Sequence, residues 1–225
     1  MTGPLGQIAL LAAKDLRVEA RSRQTLGLVT VTGILVIVVL GLGLGTQGQS
    51  PGVGATAILW VAYLFSGVLC FEKTMAMERH DGALAGLLAA PIDRGVIFAS
   101  KLLTNLALML VMASVITLVA VVLFRFDLSA APGGFAAVTL LSMIGFATVG
   151  TLFAAVTSSS RLQGGLLAVL VFPICLPLVI TSTQLLTGMF RDGLALDSPG
   201  VGILASFDAV YLVVSWLAFE RVLEP

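Results

Sequence analysis

The side chains able to ionise, ligate a metal or attack a substrate are few, and their spacing excludes most reactions. There is one histidine, His80, between Arg79 and Asp81, so neither an HExxH zinc site nor a pair of histidine ligands can form. Cys70 and Cys175 lie far apart in apolar runs and form no CxxC; they read as small buried hydrophobes. The phosphate-binding loop needs GxxxxGK followed by Ser or Thr, and the three lysines follow Ala13, Glu72 and Ser100, so that loop is missing. There is no GxSxG either. This chain does not itself hydrolyse ATP, and an enzyme is not the expected class.

Three further groups have two readings each. Asp208 is an intramembrane acid of the kind a proton-coupled transporter uses, or a carboxylate near the start of its helix that is favoured by the helix dipole. Met75 and Met77 offer soft sulfur to a haem iron or serve as interfacial packing. His80 is a lone ligand or a solvated side chain. Asn105, Ser114, Thr117, Thr139, Ser142, Thr148 and Thr151 read as polar glue between helices.

What must position these groups is a membrane-embedded scaffold. Of the 225 residues 58% are hydrophobic and 11% charged, and the mean hydropathy is +1.09. A soluble domain carries about 25% charge. The net charge is zero, which offers no basic face to nucleic acid. A span needs about 20 apolar residues. Six segments meet or approach that requirement, at 26–45, 54–71, 102–124, 135–157, 164–182 and 203–219. The fold class is therefore an all-α polytopic membrane protein, one domain over 1–225. Six spans put both termini on one side, together with ten Lys and Arg residues, against Arg125 and Arg191 on the other. The positive-inside rule makes the ten-residue side cytoplasmic.

The 72–101 segment holds eight of the 24 charged side chains and so must sit in water or at the interface. Asp81 is placed to cap a short helix. Leu84, Leu87 and Leu88 follow at i, i+3, i+4 and form one apolar stripe. Pro91 ends the helix at Ala90, and Asp93 caps the helix that re-enters the membrane. A leucine stripe presented to water needs another protein to cover it. Residues 5–24 read as an interfacial helix, with Lys14, Arg17 and Arg21 opposite Leu5, Ala9, Ala12 and Leu16; Glu19 breaks that pattern. The rival reading is a basic flank with no defined structure. Pro173 and Pro177 should kink the fifth span, either as a broken helix beside a pathway or as an aid to packing. Residues 183–202 are expected to form a short helix dipping into the outer leaflet.

The run FEKTMAMERHDGALAGLLAAPIDRGVIFASK from Phe71, the span FPICLPL and the tail SFDAVYLVVSWLAFERVLEP resemble the CcmB family over essentially the whole chain. The resemblance implies the membrane (permease) subunit of an ABC transporter in cytochrome c maturation, in the bacterial cytoplasmic (inner) membrane. It implies an ABC-2-type exporter-like fold with a cytoplasmic coupling helix between spans two and three. It implies a CcmA-like ATPase, CcmC- and CcmD-like membrane subunits, delivery of haem to a CcmE-like chaperone, and pairing with a second copy or another membrane subunit. No motif binds a cofactor, so haem is expected only as transported or passing ligand. On this chain the ATPase-coupling residues implied are Glu78, Arg79, Asp81, Gly82, Leu84, Leu87, Leu88, Pro91, Asp93 and Arg94, with the leucines in a groove of the ATPase and the charged residues around the rim. Two alternatives from other classes are a secondary transporter using Asp208 and a non-transporting scaffold of the cytochrome c assembly machinery.

Overall fold

A computed structural model describes residues 3–44, 53–80, 92–124, 128, 131–158, 163–194 and 198–222. They form seven helices: α1 Pro4–Ser22, α2 Gln24–Gly43, α3 Val53–His80, α4 Arg94–Phe124, α5 Pro132–Ser158, α6 Gln163–Asp192 and α7 Pro199–Val222. The last six each contain a stretch long and apolar enough to cross a bilayer, one for each expected span. The chain is a multi-pass membrane protein.

The helices sort by burial. Most of α3 and α5 is enclosed, while α2, α4, α6 and α7 turn most of their surface outward. The outward surface is apolar: Leu118 is 66% exposed, Val169 68% and Leu217 60%. Lipid tails solvate such groups as well as a protein core does, so periodicity does not separate the inner from the outer face here. One apolar core draws residues from α2 to α7, with Leu16 of α1 at its edge. Its aromatics meet edge to face, Trp60 with Tyr63 and Phe71 with Phe146, each pair with centroids 5.3 Å apart. On α2 the buried positions are Thr25, Val29, Gly33, Ile37 and Gly41, four residues apart. Gly33 is needed for close approach: a Cβ there would lie 2.6 Å from Ser66 Oγ of α3 and inside the side chain of Ile116 of α4.

Several helices outrun their spans. At 1.5 Å per residue, the 31 residues of α4 reach about 46 Å, against about 30 Å of hydrocarbon. The 72–101 insert is accordingly not a loop at its ends: residues 72–80 continue α3 and 94–101 begin α4. Asp93 caps α4 as expected, accepting from Gly95 N at 2.8 Å through Oδ1.

Two expectations need correction, and two rival readings are decided. Residues 4–22 form a helix, which removes the unstructured-flank reading. Glu19 does not spoil that helix. It is 4% exposed, and its Oε1 accepts from Leu26 N of α2 at 2.8 Å. Arg23, in the left-handed region at φ 54°, breaks the chain between α1 and α2 and caps α2 with no side-chain bond. Glu19 therefore supplies the N-terminal acceptor from the preceding helix. Glu19→Ala should lower stability by about 1 kcal/mol, read as a drop in the unfolding midpoint in detergent, while Glu19→Asp loses the reach and recovers little.

The separate helix at 183–202 is replaced by an extension of α6 to Asp192. Leu185, Leu186 and Met189 are buried, so they prolong the packing face of α6 and have no need to dip into lipid alone. Gly193 at φ 65° stops the helix, and Leu194 N returns to Gly188 O at 3.1 Å. Finally, α6 runs unbroken through Pro173 and Pro177. Both rings sit on its exposed side. They deprive the carbonyls of Val169 and Pro173 of intrahelical partners without opening the helix. The arrangement supports the packing reading over a broken helix beside a pathway.

Candidate coupling site and polar junction

Four of the expected coupling residues fall at the ends of α3 and α4 that flank residues 81–91. Glu78 and Arg79 belong to the last turn of α3. Asp93 is the cap of α4 and Arg94 its first, partly buried residue. Asp81, Gly82, Leu84, Leu87, Leu88 and Pro91 lie outside the described residues. His80 ends α3.

Beside these helix ends the structure assembles a junction that residue spacing did not predict. Lys101, two turns into α4, donates through Nζ to Asp15 Oδ2 of α1 at 2.5 Å. Lys14 Nζ lies 3.0 Å from Asp15 Oδ1. The Lys101 and Asp15 side chains are only 9% and 14% exposed, whereas Lys14 is 49% exposed. Desolvating a lysine this far is tolerable only with a close counter-charge. A cavity of about 100 Å³ opens next to the pair, between α1, α3 and α4, with Glu19, Met77 and Asn105 in its wall. At its inner end Thr74 Oγ1 of α3 donates to Asn105 Oδ1 of α4 at 3.0 Å. Asn105 Nδ2 in turn donates to Thr151 Oγ1 of α5 at 2.9 Å. One amide thereby ties three helices. Asn105→Leu leaves both threonine hydroxyls without this partner and should cost about 1–3 kcal/mol, measured as a lower unfolding midpoint.

The other polar residues divide as follows. Ser142 bonds Ser182 of α6 at 2.6 Å, and Thr117 bonds Tyr63 of α3 at 2.5 Å, so both join helices as expected. Ser114 and Thr148 bond the carbonyls of Leu110 and Ile144 in their own helices. Thr139 Oγ1 is buried with no partner among the described residues. Met75 is buried, and Met77 Sδ accepts from Thr25 Oγ1 at 3.6 Å, both in keeping with packing. Cys70 and Cys175 are buried and unpaired.

Asp208 departs from the capping reading. Helix α7 begins at Pro199, nine residues earlier, so Asp208 stands about 13 Å inside the helix rather than in its first turn. It is 6% exposed, and neither carboxylate oxygen has a hydrogen-bond partner among the described residues. Gly145 of α5 makes room for it, since a Cβ there would strike Asp208 Oδ1 and come within 2.8 Å of Leu178 Cδ1. The expected helix start was misplaced because Pro199, Gly200 and Gly202 are weak helix formers that read as a turn, yet α7 runs through them.

Among the described residues of the junction, Lys101, Asp15, Thr74, Asn105 and Thr151 each meet a polar partner on another helix. The junction holds helices together.

The sequence profile of a family described as CcmB protein matches residues 7–224 of this chain. Among curated proteins, the heme exporter protein B of Rhodobacter capsulatus is 30% identical over 207 residues, covering 88% of this chain and 90% of that protein.

Proposed function

The chain belongs to the CcmB family, and on that premise we propose that it is the membrane subunit of a haem exporter serving cytochrome c maturation, driven by a separate ATPase. The match over residues 7–224 carries the reading, because it reaches every helix and takes in both the coupling segment and the polar junction. The similar protein from Rhodobacter capsulatus is named a heme exporter, and haem is the cargo proposed here.

The ATPase is CcmA-like, and its contact is the segment 81–91 with Glu78, Arg79, Asp93 and Arg94 around it. Leu84, Leu87 and Leu88 fill a groove of that subunit, and closure of the ATPase pair pushes on the ends of α3 and α4. The lengths of α3 and α4, 28 and 31 residues or about 42 and 46 Å, support this reading, since both exceed about 30 Å of hydrocarbon. CcmC- and CcmD-like subunits and a CcmE-like chaperone complete the system, and a second copy or another membrane subunit supplies the other half of the exporter. The chain sits in the cytoplasmic (inner) membrane with both termini in the cytoplasm.

The test is affinity purification of the tagged chain from mild detergent. The wild type should retain its ATPase subunit, and Leu87→Asp or Leu88→Asp should lose it, because a charge in a desolvated contact costs several kcal/mol. Retention by both variants would reject the contact. A scaffold without transport would support cytochrome c assembly with a catalytically dead ATPase partner; the exporter will not.

A further inference from the structure

Helix α1 is joined in sequence to α2 but packs chiefly against α4. Its apolar contact is partial: Ala12 is buried, and Ile8, Leu11 and Leu16 are half-buried. Of its 19 residues only Ala12 and Glu19 are buried, while Leu5 and Leu10 are 81% and 61% exposed. Between α1 and α3 lies the cavity, so α3 does not clamp it. The polar fastening between α1 and α4 is the pair Asp15–Lys101, joining residues 86 apart in sequence and largely out of water. Separating the two would take a close counter-charge from a nearly buried ammonium, so the pair resists parting in any conformation that keeps Lys101 covered.

We propose that the Asp15–Lys101 ion pair fastens α1 to the cytoplasmic end of α4 so that the two move as one lever, which makes Asp15 and Lys101 positioning residues for energy coupling. The proposal rests on the exporter reading. Lys101 stands two turns from Asp93, where α4 emerges beside the proposed ATPase contact. A push on α4 there is carried through Lys101 to α1. The far end of α1 is tied to α2 by the bond from Leu26 N to Glu19 Oε1. The displacement of α4 therefore reaches α2 by a route outside the bundle core, across the αL joint at Arg23. Held to α4 by the ion pair and to α2 by the tight turn, α1 can pass on a displacement, and a loose amphipathic anchor cannot.

The experiment uses the whole complex, purified through the tagged chain with its ATPase. Lys101→Met keeps the stem and removes the charge; Asp15→Asn removes the other; a third variant exchanges the two, Asp15→Lys with Lys101→Asp. Each single variant should keep the ATPase subunit and its basal ATP hydrolysis. Cytochrome c matured per ATP should fall about tenfold, within the ordinary range of coupling energies. The exchange should recover most of that loss. Spin labels at the exposed positions Leu10 and Leu103 add a readout on the intact pair. Their separation should stay constant with and without nucleotide in the wild type and vary in Lys101→Met. Unchanged yield per ATP in the single variants, an exchange no better than they are, or a wild-type separation that shifts with nucleotide would each overturn the lever. A wild-type chain that retains no ATPase would overturn the exporter reading itself, a result distinct from these.

Discussion

Gly150→Leu is expected to abolish accumulation of folded protein in the membrane. Gly150 lies on α5, the helix that shares the centre of the bundle with α3. A Cβ alone at that position would occupy the ring of Phe71, which is fully buried and edge-on to Phe146. Neither ring can swing outward without displacing the other. Overpacking a dense core costs about 1–3 kcal/mol for extra methylenes. Here a four-carbon side chain meets aromatic atoms that have no free volume to enter, so the cost exceeds that range and approaches the whole stability of a typical domain. The check is size-exclusion chromatography of a fluorescent fusion, with a monodisperse wild-type peak lost in the variant. A paired change distinguishes the cause. Gly150→Ala should be strongly destabilised alone and largely recovered by Phe71→Leu, which removes the ring edge. If Gly150→Leu gives a wild-type peak and midpoint, the close α3–α5 contact is wrong.

Asp208 should separate stability from activity. Its carboxylate is buried beside Gly145, with no hydrogen bond to either oxygen among the described residues. An unsatisfied buried polar group costs about 1–3 kcal/mol, so an apolar side chain of similar shape should raise stability by part of that amount. Asp208→Leu is expected to unfold at a higher temperature than the wild type. Asp208→Lys, longer and always in need of a counter-charge, should fail to accumulate. The functional half of the prediction follows from the ATP-driven reading, in which no acid in the membrane has to carry cargo or protons. Asp208→Asn should therefore sustain cytochrome c formation within about twofold of the wild type, a difference of under 0.5 kcal/mol. Abolished cytochrome c formation in a well-folded Asp208→Asn protein would revive the secondary transporter.

These two cases show what could be read from residue types and what could not. Composition and hydrophobic runs were enough for six crossings, because a bilayer demands about 20 apolar residues whatever the neighbouring helices do. Asp93 as a cap was legible because capping is a contact within a few residues. The motif DGALAGLLAAP and the proline pair marked the family because several local signals coincide along one chain. The start of α7, the length of α6 and the part played by Glu19 were misjudged, each at a helix end. There the choice between continuing and stopping depends on what the flanking turn packs against, as Leu185, Leu186 and Met189 show.

By itself, then, the amino-acid sequence determined the membrane class, the number of crossings, the basic side and the family. All of these follow from transfer free energies and local backbone preferences that each segment carries with it. Only the tertiary structure decided that α3 and α5 form the centre, that Asn105 ties three helices, and that Lys101 answers Asp15 across 86 residues. In a chain whose outer surface is as apolar as its core, hydrophobicity does not say which side of a helix faces in. That choice is made by small residues such as Gly33 and Gly150 and by a few polar pairs, whose partners are distant in sequence and meet only when the helices do.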